Sequence, residues 1–161
     1  YYDESGFSLT SSIPYAWQEK GKTIEFSASK GKRINVAGFL WSNGKDFQGY
    51  QKEGSMKSTD VIGFFNDFAQ SIIQPTLVVL DNASIHRSKE FKASIERWKE
   101  QDLHLYFLPP YSPELNKIEI LWRKMKYEWL NFDAFSSFQS LSTRINQLIE
   151  EISEKYIINY A

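Results

Sequence analysis

The feature that most constrains the fold is a short apolar run that ends in a carboxylate. Residues 76–80 read Thr-Leu-Val-Val-Leu, and Asp81 and Asn82 follow directly. Apolar residues without alternation predict a strand buried on both faces, in a sheet with layers above and below it. Open α/β sheets bind ligands in the crevice beyond the carboxyl ends of their strands. Because a charge beside a buried strand costs free energy unless it is paired, we expect Asp81 to have a partner elsewhere in the chain.

The segments before this strand predict an antiparallel meander. Apolar stretches alternate with turn residues, at 1–7, 7–17, 23–27 and 33–41. The first stretch is expected to be only the tail of a strand, because Ser5-Gly6 is typical of a turn. Residues 49–54 are expected to form a loop that closes the meander.

The segments after Gly54 alternate between helical and strand patterns. Apolar residues at helical spacing predict a helix capped by Ser58 or Thr59 and three more, at 88–100, from Ser112 to Trp129, and at 135–156. Residues 103–107 alternate as a strand. Strand, helix, strand is a βαβ unit, so its two strands should be parallel. The whole pattern predicts an α/β fold with a mixed sheet, flanked by helices and ending in an amphipathic helix.

Composition excludes several classes of site. The 161 residues, read as one domain over 1–161, contain no cysteine, which excludes disulfides, thiolate nucleophiles and zinc–thiolate sites. There is no signal peptide and no apolar run of transmembrane length, so we expect a cytoplasmic protein without a membrane partner. The net charge is −1, so any DNA binding must depend on a local basic patch.

Carboxylates are the candidate partners of Asp81. Glu119 lies at the margin of a helical apolar stripe and can face the sheet, whereas Glu114 suits the first helical turn for local reasons. Asp3 and Glu4 compete for a third position. Alternate residues of a strand face opposite sides, so only one of the two is expected to point at the crevice, and the residues do not decide which.

Converging carboxylates repel one another unless cations lie between them. Oxygen ligands favour magnesium or manganese, and two such ions can promote phosphoryl transfer. The alternative is that these acids are helix caps and solvated surface groups.

Four motifs carry a resemblance to a known family. They are Asp3-Glu-Ser-Gly-Phe, Pro14-Tyr-Ala-Trp-Gln-Glu-Lys-Gly21, Val79-Leu-Asp-Asn-Ala-Ser-Ile-His86 and Leu108-Pro-Pro-Tyr-Ser-Pro-Glu-Leu-Asn-Lys-Ile-Glu-Ile-Leu-Trp122. Together they resemble the catalytic domain of bacterial insertion-sequence transposases of the mariner-like superfamily. One departure is Lys117, where that family usually has proline.

The resemblance implies a ribonuclease-H-like fold and a DDE triad of Asp3, Asp81 and Glu119, which would bind two Mg²⁺ or Mn²⁺ ions. It implies double-stranded DNA as partner, both transposon ends and target, with a homodimer in the DNA complex. The helix-turn-helix recognition region of such transposases is expected to be absent before Tyr1. The strand that carries Asp3 is expected to be about two residues long, against a usual five or six.

Further residues are candidates for DNA contacts or for supporting the triad. The basic residues of the meander turns and of the Glu119 helix could bind the DNA backbone, namely Lys22, Lys30, Lys32, Arg33, Arg123 and Lys126. Solvated surface charges are the alternative. His86 is close enough to Asp81 to reach the site or a phosphate, although helix capping or surface exposure would also explain it. Asn82 and His86 are candidates for supporting Asp81 without binding the metal themselves.

The sequence therefore predicts metal-dependent cleavage of DNA at transposon ends and strand transfer into target DNA. An inactive remnant that binds DNA or protein is the first alternative. Another ribonuclease-H-like nuclease is the second, although the Pro-Pro-Tyr-Ser-Pro motif does not favour it.

Overall fold

The computed structural model describes residues 1–9, 19–22 and 32–158. Within these residues, five strands and four α-helices follow one another as β1 (Tyr2–Ser8), β2 (Arg33–Leu40), β3 (Phe47–Glu53), α1 (Ser58–Ser71), β4 (Thr76–Leu80), α2 (Lys89–Lys99), β5 (Leu103–Phe107), α3 (Ile118–Lys124) and α4 (Phe138–Lys155). Short 3₁₀ turns occupy Pro113–Leu115 and Phe132–Ser136, and a π turn occupies Met125–Trp129. The strands predicted at 7–17 and 23–27 lie largely outside the described residues.

The strands form an antiparallel and a parallel group. Strands β1, β2 and β3 pair antiparallel in that order, while β4 and β5 pair parallel, with α2 as their crossover. Strand β1 lies beside β4, which brings the start of the chain next to the strand that ends at Asp81. The predicted α/β fold, with a meander followed by a βαβ unit, is confirmed.

Two predictions about the meander were wrong. Strand β1 continues through Ser5 and Gly6 and pairs with β2 along its whole length, instead of turning after about two residues. Gly6 marks a close approach, because a Cβ there would overlap the Arg33 guanidinium. The predicted loop at 49–54 is instead mostly β3.

Two glycines of the meander leave space for the ring of Phe47. Gly38 and Gly49 are cross-strand partners in β2 and β3, and a Cβ on either would overlap the Phe47 ring. The Phe47 ring in turn contacts the Trp122 ring edge-on, at 6.1 Å between centroids. This contact connects the meander to α3.

The β4 strand buries one face instead of two. Val78 and Leu80 are buried with the aromatic residues of α1 and α2, whereas Leu77 is 59% exposed. The prediction of burial on both faces was therefore wrong. A second core, between the meander and helices α3 and α4, lies on the opposite side of β1.

Hydrogen bonds to polar side chains mark where helices α1 and α2 begin. Ser88 accepts a hydrogen bond from Phe91 N at 3.2 Å and begins α2 as predicted. The prediction that Ser58 or Thr59 caps α1 was wrong, because both lie within the helix and the N-cap residue is Lys57, whose N donates to the Asp60 carboxylate at 2.8 Å. No helix among the described residues is both long and apolar enough to cross a membrane.

The helix predicted from Ser112 to Trp129 is interrupted. Asn116 is buried in an extended conformation, and its Nδ2 donates to Tyr2 O at 2.9 Å. That tertiary hydrogen bond separates the 3₁₀ turn from α3 and fixes the start of α3 against β1. Helix α4 likewise starts at Phe138 instead of 135, because Ser137 caps it by accepting from Ser140 N.

Candidate active site

A cavity of about 370 Å³ lies beyond the ends of β4 and β5. Asp3 from β1, Asp81 after β4 and Glu119 from the first turn of α3 all line it. The loop from Leu108 to Pro113 forms its other wall. The crevice expected beyond β4 is thus present, and three separate elements each contribute one carboxylate to it.

Asp3 is partly buried on the face of β1 that packs against α3. Its Oδ2 accepts a hydrogen bond from Trp122 Nε1 at 3.1 Å. Burial raises the pKa of Asp3, and the charges of Glu4, Glu119 and Asp81 raise it further, to about 8. The cavity therefore concentrates negative charge, which a cation would neutralise.

Asp81 is held mainly by its own loop. Its Oδ1 accepts from Ala83 N at 3.0 Å and from His86 Nδ1 at 2.8 Å. The hydrogen bond from His86 lowers the pKa of Asp81, against the opposing effect of burial, and the Ala83 amide lowers it too. Its Oδ2 accepts no hydrogen bond from the residues that the structure describes. The expected pairing partner was Glu119, but the bonded partner is His86.

His86 is completely buried, so the surface-exposure alternative was wrong. Its Nε2 lies 3.0 Å from Glu4 Oε1, which also accepts from the Tyr2 hydroxyl at 2.8 Å. Burial opposes protonation of His86, but the hydrogen bonds to Asp81 and Glu4 outweigh it and raise the pKa to about 10. Asp3 and Glu4 thus both belong to the surroundings of Asp81. Asp3 lines the cavity, and Glu4 reaches Asp81 through His86.

The third carboxylate, Glu119, is exposed. It lines the Asp3 cavity and also a neighbouring one of about 360 Å³ that includes Glu114, Asn116 and Arg123. Sequence reasoning missed Asn116, which borders both cavities. A local indication that Asn116 interrupts the helix was present in the sequence, since asparagine is unfavourable inside helices.

The donor types and the charge fit a divalent cation. Asp3 and Asp81 each have one oxygen bound by a protein donor, and burial together with the charges of the neighbouring acids raises the pKa of Asp3. Across residues 1–9, 19–22 and 32–158, however, no three histidine or acidic side chains are grouped closely enough to hold one metal ion. Asp3, Asp81 and Glu119 share a cavity without forming a complete ligand set.

Comparison with known proteins identifies the family. The profile of the family described as DDE superfamily endonuclease matches residues 1–142. The chain belongs to that family. This confirms the family resemblance seen in the motifs.

One protein sequence and two solved structures illustrate what this chain is similar to, at 30% identity or less. It is 30% identical over 79 residues to an uncharacterized protein of Sinorhizobium fredii, y4pE/y4sA, covering 47% of this chain and 54% of that protein. The fold is similar to a Mos1 transposase paired-end complex with left transposon end, with a TM-score of 0.61, 14% identity, and coverage of 96% of this chain and 52% of that one. A Mos1 mariner paired-end complex with Mn gives a TM-score of 0.60 at 13% identity, again over 96% and 52%. The chain spans about half the length of these proteins.

Three of the basic residues predicted to contact DNA lie near the carboxylates. Lys126 is half-buried; burial lowers its pKa, and the charges of Glu119 and Asp3 oppose that effect. Arg33 lies near enough to Lys126 to lower its pKa further, and Arg123 lines the neighbouring cavity.

Two of the remaining predicted DNA contacts, Lys22 and Lys32, lie apart from the cavity walls. Lys22 forms an exposed ion pair with Glu19, and Lys32 lies 5.2 Å from the centre of the Phe138 ring. Neither lines the cavity. Lys30 lies outside the described residues.

Two residues of the cavity wall are notable, Asn82 for a hydrogen bond and Tyr111 for its backbone conformation. Asn82 Nδ2 donates to Leu108 O and so ties the Asp81 loop to the opposite wall. Tyr111, in the Pro-Pro-Tyr-Ser-Pro motif, is fully exposed and has a φ of 58°, which is uncommon for a bulky residue. The wall therefore presents an aromatic ring to solvent at the edge of the acidic cavity.

Proposed function

We propose that this chain is the catalytic domain of a DNA transposase. It would cleave DNA phosphodiester bonds at the ends of a mobile element and join the freed ends to target DNA. The observation that carries the proposal is the convergence of Asp3, Asp81 and Glu119 on one cavity, where burial and the neighbouring acidic charges raise the pKa of Asp3.

The three carboxylates are proposed as the ligands of two Mg²⁺ or Mn²⁺ ions. When bound, such ions activate the attacking oxygen and stabilise the leaving oxygen of a phosphodiester. The protein's own contribution is orientation. Trp122 fixes one oxygen of Asp3, while Ala83 and His86 fix one oxygen of Asp81.

The basic residues near the cavity are proposed to bind the DNA backbone. Arg123 lines the cavity beside Glu119, Lys126 lies near Glu119 and Asp3, and Arg33 lies near Lys126. These residues would contact phosphates beside the cleaved bond. Tyr111 would contact a base or sugar from the rim. Similarity to the fold of Mos1 complexes with transposon ends supports this arrangement, and paired DNA ends held by a homodimer belong to the same proposal.

Nicking of supercoiled plasmid in Mn²⁺ tests the proposal without knowledge of the element's ends. We expect the wild-type chain to nick, and Asp81→Asn and Glu119→Gln to lose activity by at least about 100-fold. Glu114→Gln is the matched control, since this exposed acid lies nearby without lining the Asp3 cavity, and it should retain activity. Wild-type inactivity, or equal nicking by both site variants, would refute the proposal.

An inactive DNA-binding domain is the second candidate. The observation in its favour is that the described carboxylates do not form a complete ligand set for one ion. Thermal denaturation with and without millimolar Mn²⁺ distinguishes the two, because an ion that binds only the folded state stabilises it. A rise in Tm that Asp81→Asn abolishes favours the enzyme, and no rise favours the binding domain.

A further inference from the structure

Four side chains form a hydrogen-bonded series that leads from the core to Asp81. The Tyr2 hydroxyl donates to Glu4 Oε1 at 2.8 Å, and the same oxygen lies 3.0 Å from His86 Nε2. On the other side of the imidazole, Nδ1 lies 2.8 Å from Asp81 Oδ1. A buried histidine thus connects an acid that does not line the cavity with one that does.

The imidazole has little freedom to move. His86 is fully buried, and its ring packs against Tyr2 at 5.6 Å and Phe91 at 5.5 Å between centroids. Tyr2 is itself wedged between Phe39 and Phe65, at 4.7 and 4.6 Å. The series is therefore anchored in the aromatic core between the meander and helices α1 and α2.

Both ring nitrogens of His86 contact carboxylate oxygens, Nδ1 that of Asp81 and Nε2 that of Glu4. A carboxylate on one ring nitrogen fixes the orientation of the ring and so the position of the other nitrogen. Glu4 is thereby connected to the orientation of Asp81.

We infer that Glu4 is a positioning residue that acts through His86 to fix the carboxylate of Asp81. Oδ1 is committed to His86 Nδ1 and Ala83 N, so Oδ2 is the oxygen that Asp81 offers to the cavity. The two neighbouring acids of β1 then have different roles. Asp3 lines the cavity, and Glu4 positions Asp81 through His86. This inference rests on the proposed function, because it takes Asp81 to be a metal ligand.

The test is the affinity for Mn²⁺, measured by titration calorimetry on the whole chain without DNA. Glu4→Gln keeps an acceptor for the Tyr2 hydroxyl but removes the negative charge that faces His86. We expect this variant to bind Mn²⁺ about tenfold more weakly, as is typical when a hydrogen-bonding residue that orients a metal ligand is lost. Glu53→Gln, an exposed acid at the end of β3, is the matched control and should bind like the wild type.

Two further measurements keep the test decisive. Nitrogen NMR should show that Glu4→Gln changes the signal of His86 Nδ1, the nitrogen that contacts Asp81, an effect that a purely packing role for Glu4 would not produce. If Glu4→Gln does not fold, Tyr2→Phe, which removes only one donor to Glu4, should weaken Mn²⁺ binding in the same direction.

The outcomes separate this inference from the proposed function. If Asp81→Asn binds Mn²⁺ as well as the wild type, the metal site itself is wrong. If Asp81→Asn loses binding while Glu4→Gln and Tyr2→Phe do not, the site stands and the positioning role of Glu4 is refuted. An unchanged His86 Nδ1 signal in Glu4→Gln would also refute it.

Discussion

Replacing Asp3 with asparagine should stabilise the fold at alkaline pH while abolishing catalysis. Asparagine has nearly the same shape and can still accept the hydrogen bond from Trp122 Nε1. It cannot ionise, however, so it avoids placing a charge beside Glu4, Glu119 and Asp81. The change thus isolates the energetic cost of charging this one carboxyl group.

The pH range follows from the direction of the pKa shift. The pKa of Asp3 rises from 3.8 to about 8 on folding, so the folded state holds this proton more tightly than the unfolded chain. The stabilising effect of the proton is complete below about pH 4 and is lost as pH rises through about 8. Wild-type stability should fall across this range relative to Asp3→Asn, and the difference should be constant above it.

The magnitude follows from the size of the shift. About four pKa units at about 1.4 kcal/mol each give an upper limit of about 6 kcal/mol. Because Asp3 lines an open cavity where water screens its charge, we expect about 3 kcal/mol between pH 4 and pH 9. A functional residue whose ionisation destabilises the fold, and whose replacement by a neutral residue restores stability, is typical of sites in which stability is given up for function.

Urea denaturation of both proteins at pH 5, 7 and 9 measures this difference directly. Every other titratable group is common to the two proteins, so the change in their stability difference with pH reports Asp3. The expected result is a stability advantage of Asp3→Asn that grows with pH and shrinks when Mn²⁺ is added. A difference independent of pH, or a variant less stable than wild type at pH 9, would refute the reasoning.

Two further predictions concern the meander and the basic residues. Gly38→Ala should cost about 1–3 kcal/mol in urea denaturation, because its methyl group would overlap the Phe47 ring; an unchanged stability would show that Phe47 moves aside freely. Lys126→Gln should weaken DNA binding and reduce the slope of log affinity against log salt by about 1, measured by fluorescence anisotropy at several salt concentrations. An unchanged slope would mean that Lys126 contacts no phosphate.

Features with local signals were predictable from the sequence. The apolar run before Asp81 and the helical spacing after Ser88 gave β4 and α2 with nearly correct limits. The triad positions came from motifs of the family, and the structure brings all three to one cavity. Their catalytic role stays a prediction.

Features fixed by distant contacts were not predictable. Gly6 and Gly49 suggested turns, but they lie within strands because Arg33 and Phe47 pack over them. The break at Asn116 depends on a hydrogen bond to Tyr2 O, 114 positions away along the chain.

The burial of His86 was missed for the same reason. It depends on Glu4, which lies 82 positions away. No pattern within a few residues carries that information.

The central claim is that Asp3, Asp81 and Glu119 bind divalent cations. Diffraction from crystals soaked in Mn²⁺, with the anomalous signal of manganese, locates the ions directly. We predict anomalous density in the cavity within ligand distance of Asp3 and Asp81 Oδ2, with Glu119 turned toward it, and none in crystals of Asp81→Asn. Density found only elsewhere, or an empty cavity at millimolar Mn²⁺, would contradict the claim.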